Sequence, residues 1–358
     1  MDKNVAQPAQ DSARELLHLE FRGSGSEYFR IWIVNLALTL LTLGIYGAWA
    51  KVRTWRYFYG NTYLGDHSFE YHASPVRILI GRLIALALFL SYSLTINFYP
   101  MAAPAWIIVL FAALPWLANA SIRFNARNSS YRNVRFNFTG SYGEALVAYV
   151  LWPIGAALTL YLLWPRARKA RDYYYVNRHT FGGRPFETEF STWSIYKIYL
   201  VGLLILIVVG GAIGSLIYAY GFQNLQAAGT HLPKEVASLT PFAVGIATAL
   251  TFIIAGVYIE TMVFNLTIGN AKLDGRHELR AELSPLAMAW LYVTNTFLTL
   301  ITIGIFYPWA AVRLARYRRS RIKVLAATNL NEFTSEIIAT QGAIGEEIAG
   351  FFDLGFGL

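Results

Sequence analysis

Residues 35–57 read NLALTLLTLGIYGAWAKVRTWRY, and residues 295–317 read NTFLTLITIGIFYPWAAVRLARY. Aligned without a gap, Asn35, Thr39, Thr42, Gly44, Trp49, Arg53, Arg56 and Tyr57 recur as Asn295, Thr299, Thr302, Gly304, Trp309, Arg313, Arg316 and Tyr317. A third stretch, LTLYLLWPRARKARDYYY at 158–175, keeps the ending: Trp164, Arg168 and Arg171 have the spacing of Trp49, Arg53 and Arg56. An internal repeat governs architecture, because each copy is one structural unit that packs against its neighbours. This one runs apolar, then aromatic, then basic, the order of a segment entering or leaving a membrane.

The rest of the chain agrees. Of 358 residues, 56% are hydrophobic and only 14% are charged, against about 25% charged in soluble domains. Apolar runs near 30–48, 76–96, 104–120, 144–164, 198–219, 241–264 and 285–307 each approach the ~20 residues that cross a hydrocarbon core. Residues 1–15 are polar and lack the apolar stretch of a cleavable signal. With no cysteine, disulfides, thiolate metal sites and a Cys nucleophile are excluded. Residues 326–358 carry −5 and no Lys or Arg, so the other residues hold +14 against the chain's formal +9. That charge lies beside the apolar runs, as expected of positive-inside loops touching anionic lipid, not of a nucleic-acid surface.

Between the apolar runs lie four similar polar segments, 61–75, 128–141, 177–191 and 270–285, each with a turn pair: Gly65-Asp66, Arg132-Asn133, Gly182-Gly183 and Asp274-Gly275. Such pairs supply the positive-φ residues of tight β-hairpins. Each closes on a Ser that can cap the next helix. LHLEFRGS at 17–24 resembles the second strand of a fifth unit. The spacing therefore predicts an all-α polytopic membrane protein with small cytoplasmic β-hairpins, built by internal repeats. Four spanning helices form two pairs, 76–122 and 195–265. Three Trp/Arg-ended single segments occupy 29–60, 144–175 and 286–320. Residues 1–28 form an N-terminal cytoplasmic segment with one strand, 29–325 the membrane domain, and 326–358 an acidic tail.

The loops of the pairs, 99–103 and about 221–240, hold one Lys and no Arg, as outward loops should. The singles are basic on both flanks, Arg22 and Arg30 before the first and Lys51, Arg53 and Arg56 after it, for example. Their length suits spanning. Their charge suits a helix-break-helix that returns to its own side, broken at Thr42-Leu43-Gly44, at Trp152-Pro153-Ile154-Gly155 and at Thr302-Ile303-Gly304. Exposed backbone at such a break is tolerated only inside protein or a watery cavity.

FRGSGSEYFRIWIVNLALTLLTLGIYGAWAKVRTWRYFYGNT, followed by FEYHASPVRILIGR and the late ITIGIFYPWAAVRLARY, resembles the YjgN family of bacterial membrane proteins, a domain of unknown function numbered 898. The resemblance covers roughly 16–358. It implies a multi-pass protein of the bacterial inner (cytoplasmic) membrane and carries no reaction or catalytic residue with it.

Three groups of side chains are candidates for function. The Trp-x-x-x-Arg-x-x-Arg elements (Trp49, Arg53, Arg56; Trp164, Arg168, Arg171; Trp309, Arg313, Arg316) place Trp and Arg near one helix face. They read as anionic-headgroup contacts or as plain depth anchors. Glu260 and Arg82 lie within apolar segments, where an ionisable group costs ~2.5–3.5 kcal/mol and marks a functional candidate. They form a polar membrane site, or a structural pair with one another. Asn35 and Asn295 line that polar site, or make interhelical hydrogen bonds. Histidines are scattered; only Asp66, His67, Glu70 and His72 cluster, and strand alternation puts the two His on opposite faces. No metal, cofactor or enzymatic motif is present. The expected partner is the bilayer with its anionic headgroups, with a membrane protein docking on the acidic tail. The functional expectation is a transporter, channel or lipid-handling protein, with a non-transporting scaffold or adaptor as the alternative.

Overall fold

The polar segments form short strands that pair edge to edge. The computed structural model describes residues 15–227 and 234–340. Strands β1 (Glu15–Phe21), β2 (Thr62–Leu64), β3 (His67–Tyr71), β4 (Ser129–Tyr131), β5 (Val134–Phe138), β6 (His179–Phe181), β7 (Arg184–Thr188), β8 (Ala271–Leu273), β9 (His277–Ala281) and β10 (Ile322–Ala326) are all antiparallel. They close as β1-β10-β9-β8-β7-β6-β5-β4-β3-β2. The turns use the expected residues in left-handed conformation: Gly65, Arg132, Asn133, Gly182, Gly183, Asp274 and Gly275 all have positive φ.

The architecture is therefore not all-α with separate hairpins: a closed ten-stranded antiparallel barrel stands at its centre. The reason is edge pairing. A strand of three to five residues in a lone hairpin exposes a row of unpaired N–H and C=O groups, and such a hairpin is marginal in water. Joining hairpins edge to edge satisfies those groups, and only closure removes the last edge. β1 supplies one strand of the fifth hairpin. Its partner, β10, is 300 residues away, with Leu17 opposite Val324. The N-terminal strand is thus part of the barrel wall, and so is Ile322–Ala326, which runs into the expected acidic tail; residues 341–358 of that tail lie outside the described residues.

The helices are α1 (Gly25–Leu41), α2 (Gly47–Gly60), α3 (Pro75–Phe98), α4 (Ala103–Arg127), α5 (Tyr142–Leu146), α6 (Trp152–Leu158), α7 (Trp164–Asn177), α8 (Thr192–Ala227), α9 (Lys234–Gly269), α10 (Pro285–Ile301) and α11 (Tyr307–Ser320). A final helix, α12, covers residues 330–340. Among the described residues four helices are long and apolar enough to cross a membrane, at Pro75–Phe98, Pro100–Arg127, Thr192–Leu216 and Val244–Gly269.

Every helical pair leaves and re-joins the barrel at one rim. Phe21 pairs with Thr62, so α1 departs where α2 arrives. The same holds for Tyr71 with Ser129, Phe138 with His179, Thr188 with Ala271 and Ala281 with Ile322. The three single segments are accordingly helical hairpins that turn back. Their breaks share one design. The hydroxyls of Thr42, Thr159 and Thr302 donate to the carbonyls of Leu38, Gly155 and Leu298, at 2.7, 2.9 and 2.7 Å. Each then accepts the backbone N–H four residues on, from Tyr46, Leu163 and Phe306. Leu43-Gly44, Leu160-Tyr161 and Ile303-Gly304 have positive φ. The second break is thus at Leu160-Tyr161 and not at Trp152-Pro153-Ile154-Gly155. Pro153 lies inside a continuous helix over Tyr142–Leu158, directly after a π-helical turn at Val147–Leu151, and such a turn accommodates the N–H that proline lacks.

The pairs stand side by side around the barrel axis, and the last packs on the first. Trp309 of α11 lies 5.1 Å from Phe29 of α1 between ring centroids, and Trp32 lies 6.2 Å from Tyr307. Each return helix also reaches the backbone just beyond the next second strand. Arg56 donates to the Tyr71 carbonyl, Arg123 to Phe138 and Gly140, Lys169 to Phe190, Asn265 to Leu283, and Arg316 to Gly23. These bonds satisfy carbonyls at the rim, where the chain leaves the sheet and loses its ladder partners. Ser24, Ser141 and Ser284 cap the helices that follow, the first two as capping boxes with Glu27 and Glu144.

At the opposite, turn end of the barrel sits α12. Leu330, Phe333 and Ile337 are buried with Leu64, Tyr131, Val134 and Phe181 in one core. Phe69, Phe136 and Phe186, one from each of three successive hairpins, pack against the same core.

Candidate functional site

A cavity of about 1240 Å³ lies among α7, α9, α10 and α11. Arg168 of α7 reaches Glu260 of α9 past the intervening α8, which places the cavity on the concave, inner side of the ring of helices. Its wall has a polarity gradient. From Glu260 to the barrel rim it carries Arg168, Asp172, Tyr175, Tyr292 and Arg318. Beyond Glu260, α9 presents Val257, Ile253, Leu250 and Ile246, and α10 presents Val293, Phe297 and Leu300. At 1.5 Å per residue, the apolar wall from Glu260 to Ile246 is about 21 Å long, enough for an acyl chain of one leaflet, whose hydrocarbon half-thickness is ~15 Å.

The ionic end is organised around Arg168. Its Nη1 and Nη2 donate to Glu260 Oε1 and Oε2 at 2.5 and 2.9 Å, a two-pronged pair, and its Nε donates to Asp172 Oδ2 at 2.8 Å. The fork of the guanidinium matches a carboxylate in this geometry. Arg171 Nε stands 3.5 Å from Asp172 Oδ1. Arg318 Nη2 donates to the Tyr292 hydroxyl at 2.7 Å.

The candidates from the sequence separate. Glu260 and Arg168 come together; Arg82 does not join them. A Cβ built on Gly47 would meet the Arg82 guanidinium at 2.7 Å, so Arg82 lies against the start of α2, on the other side of the ring. The expected Glu260–Arg82 pair is replaced because the partners of Glu260 are set by ring order, and α7 is its neighbour on the concave side. Asn35 and Asn295 are buried, and donate to the Ala50 and Ala310 carbonyls at 3.4 and 3.2 Å. They tie the two arms of a hairpin together. Asn295 also accepts from Arg313 Nη1 at 2.8 Å.

The Trp and Arg of each repeat divide along the helix. Trp49, Trp164 and Trp309 sit next to the breaks, each paired with an aromatic three residues earlier (Tyr46, Tyr161, Phe306). Arg56, Arg171 and Arg316 lie seven residues on, about 10 Å nearer the barrel. Arg56 and Arg316 are occupied by rim carbonyls, and Arg53 is exposed on α2.

Sequence reasoning missed Asp172, Arg318 and Tyr292. Arg168 and Asp172 are four apart on α7, the spacing of a helical ion pair, and that signal was legible. Arg318 and Tyr292 are joined only by the packing of α10 on α11. A further groove of about 1410 Å³ runs outside the rim between α5–α7 and β7–β8. Arg178 pairs with Glu144 and Lys272 with Glu278 there, while Arg166, Glu187 and Glu189 line it outside those pairs. Among the described residues no group of three or more His, Asp or Glu stands together as metal ligands.

A family model described as "Bacterial protein of unknown function (DUF898)" matches residues 16–351. The chain is 27% identical over 360 residues to the inner membrane protein YjgN of Salmonella typhimurium, covering 89% of this chain and 91% of that one. It is 30% identical over 122 residues to inner membrane protein YjgN of Escherichia coli K12, covering 34% of this chain and 31% of the relative. No solved structure matches the chain.

Proposed function

The chain belongs to the DUF898 family of bacterial inner membrane proteins, and from that premise we propose that it is a lipid-handling protein that takes a bilayer amphiphile into the inner cavity. One observation carries the reading: the cavity's charged side chains all lie at Glu260 or nearer the barrel, among Val176, Phe264, Ile268, Leu283 and Met288, and none lies beyond it, which suits an amphiphile in the leaflet next to the barrel. The three turned-back hairpins support it. Their tips expose Leu43, Leu160 and Ile303 at 95%, 87% and 92%, which suits burial in hydrocarbon. The proposal assigns binding, with no bond made or broken.

Thr296 lines the cavity on α10 and is exposed into it. The full chain purified in mild detergent is expected to retain about one lipid per protein by native mass spectrometry, and Thr296→Trp to lose it. Equal lipid retention by Thr296→Trp would overturn the reading.

The barrel and its basic rim are placed on the cytoplasmic side, supported by the basic flanks of every hairpin. Because the chain has no native cysteine, single cysteines at Asp66, Arg135, Glu187 and Arg276 report side directly. All four are expected to resist a membrane-impermeant thiol reagent in intact spheroplasts and to react in inverted vesicles. The reverse pattern would invert the topology.

A further inference from the structure

We propose that the occupant of this cavity carries a single phosphodiester, and that Arg318 is the residue that takes it. The inference rests on the lipid-handling reading and adds to it the chemical class of the head. It comes from counting charges and hydrogen bonds at the ionic end. Arg168 and Arg318 line this end with Asp172 and Glu260, and Arg171 stands behind Asp172, so three guanidiniums lie near two carboxylates.

The unmatched charge resides on Arg318. Arg168 spends Nη1, Nη2 and Nε on the two carboxylates, and Arg171 stands against Asp172. Arg318 meets only a neutral phenol, Tyr292, through one of its five N–H groups. The C-terminal end of α11 offsets part of its charge, but supplies no acceptor for the free N–H groups of the fork. Arg318 is exposed and lines the cavity, so its free N–H groups are open to an incoming acceptor. The complement is a monoanion with two acceptor oxygens in one plane of approach, which is how a phosphodiester meets the guanidinium fork. A free carboxylate would satisfy the charge as well. The long apolar wall beyond Glu260 calls for a chain or chains attached to the anion; a fatty acid and a phospholipid both bring one, and the phospholipid is the anion of which the bilayer surface is built.

Tyr292 then acts as a positioning residue. Its hydroxyl accepts from Arg318 and holds the guanidinium over the cavity.

The test uses the full chain, stripped of lipid in detergent and titrated by native mass spectrometry with phosphatidylglycerol or with diacylglycerol of the same chains. Wild type is expected to bind one phosphatidylglycerol at least about tenfold more tightly than diacylglycerol, the effect of one charge-assisted hydrogen-bonded contact. Arg318→Met is expected to lose about tenfold for phosphatidylglycerol and nothing for diacylglycerol. Arg280→Gln, which removes a positive charge from the outer face of β9, is expected to change neither. Thr296→Trp is expected to weaken both lipids. Equal binding of the two lipids by wild type, or an unchanged preference in Arg318→Met, overturns the phosphodiester assignment and leaves the cavity intact as a binding site. Binding of both lipids unaffected by Thr296→Trp overturns the cavity reading itself. A fatty acid that displaces phosphatidylglycerol at equal concentration also overturns the assignment, because it shows that any monoanion suffices.

Discussion

His277 shows how closely a single side chain is fitted to the barrel. It is fully buried, its Nδ1 accepts the Ala327 N–H at 3.3 Å, and its ring lies 4.4 Å from that of Phe333. The hydrogen bond puts the ring proton on Nε2, and Nε2 has no partner. Burial, and next the adjacent Arg276 cation, hold the imidazole below its usual range, with Asp274 opposing. The unfolded chain therefore binds this proton first. Its stabilising contribution is complete above the unfolded value of about 6.5 and falls as pH drops below it. Thermal stability in detergent is expected to fall from pH 7 to about pH 5 (two units spanning that value), and His277→Gln to reduce the dependence, with His179, also held low by burial, supplying the remainder. An unchanged slope in His277→Gln would place the titrating group elsewhere. The other informative residues are Thr42, Thr159 and Thr302. Each closes a helix break by donating and accepting with one hydroxyl, so a break within an apolar segment leaves few orphaned backbone groups.

Among elements, α12 is the one whose position the periodic pattern did not announce. It closes the turn end of the barrel with Phe333 and Ile337, 2% and 1% exposed, and with charged contacts at its flank. Arg184 bonds Glu336 at 2.9 Å, and Arg132 bonds Asn331. Gly182 is the tight point. It has φ +58, and a Cβ there would meet Ile337 Cγ2 at 2.3 Å; Gly183 also has positive φ, with nothing within 4 Å. Both Gly→Ala changes cost the left-handed backbone roughly 1–2 kcal/mol. Only Gly182→Ala also displaces α12. Limited proteolysis is expected to cut residues 330–340 readily in Gly182→Ala and not in Gly183→Ala. Equal protection in both would show that α12 is not held by this contact. The hairpin turns next to α12 were legible from Gly65-Asp66, Arg132-Asn133, Gly182-Gly183 and Asp274-Gly275, because each needs residues that tolerate positive φ. The edges that join the hairpins carry no such signature.

At the scale of the molecule, the fold is a barrel and a ring of helical pairs that share one axis and one seam. The seam joins β1 to β10 and α1 to α11, so the first and last strands meet in the wall. Joining residue 340 to residue 15 by a flexible linker, which keeps α12, and reopening the chain at the Gly65-Asp66 turn is expected to preserve a monodisperse, folded protein by size-exclusion chromatography. Deleting 322–340 is expected to abolish it, because β1 and β9 are left with open edges. A monodisperse deletion product would show that closure is dispensable. The sequence by itself determined the membrane class, the two pairs of long apolar segments, the repeat that relates 35–57 to 295–317, and the four tight turns. These are local properties, set by apolar length, residue spacing and the φ each residue allows. Only the tertiary structure decided that the single segments turn back, that the hairpins close into a barrel, that the second break is at Leu160-Tyr161, and that Glu260 faces Arg168 instead of Arg82. Those outcomes rest on edge pairing and ring order between residues up to 300 apart, for which neither propensity nor periodicity carries a term.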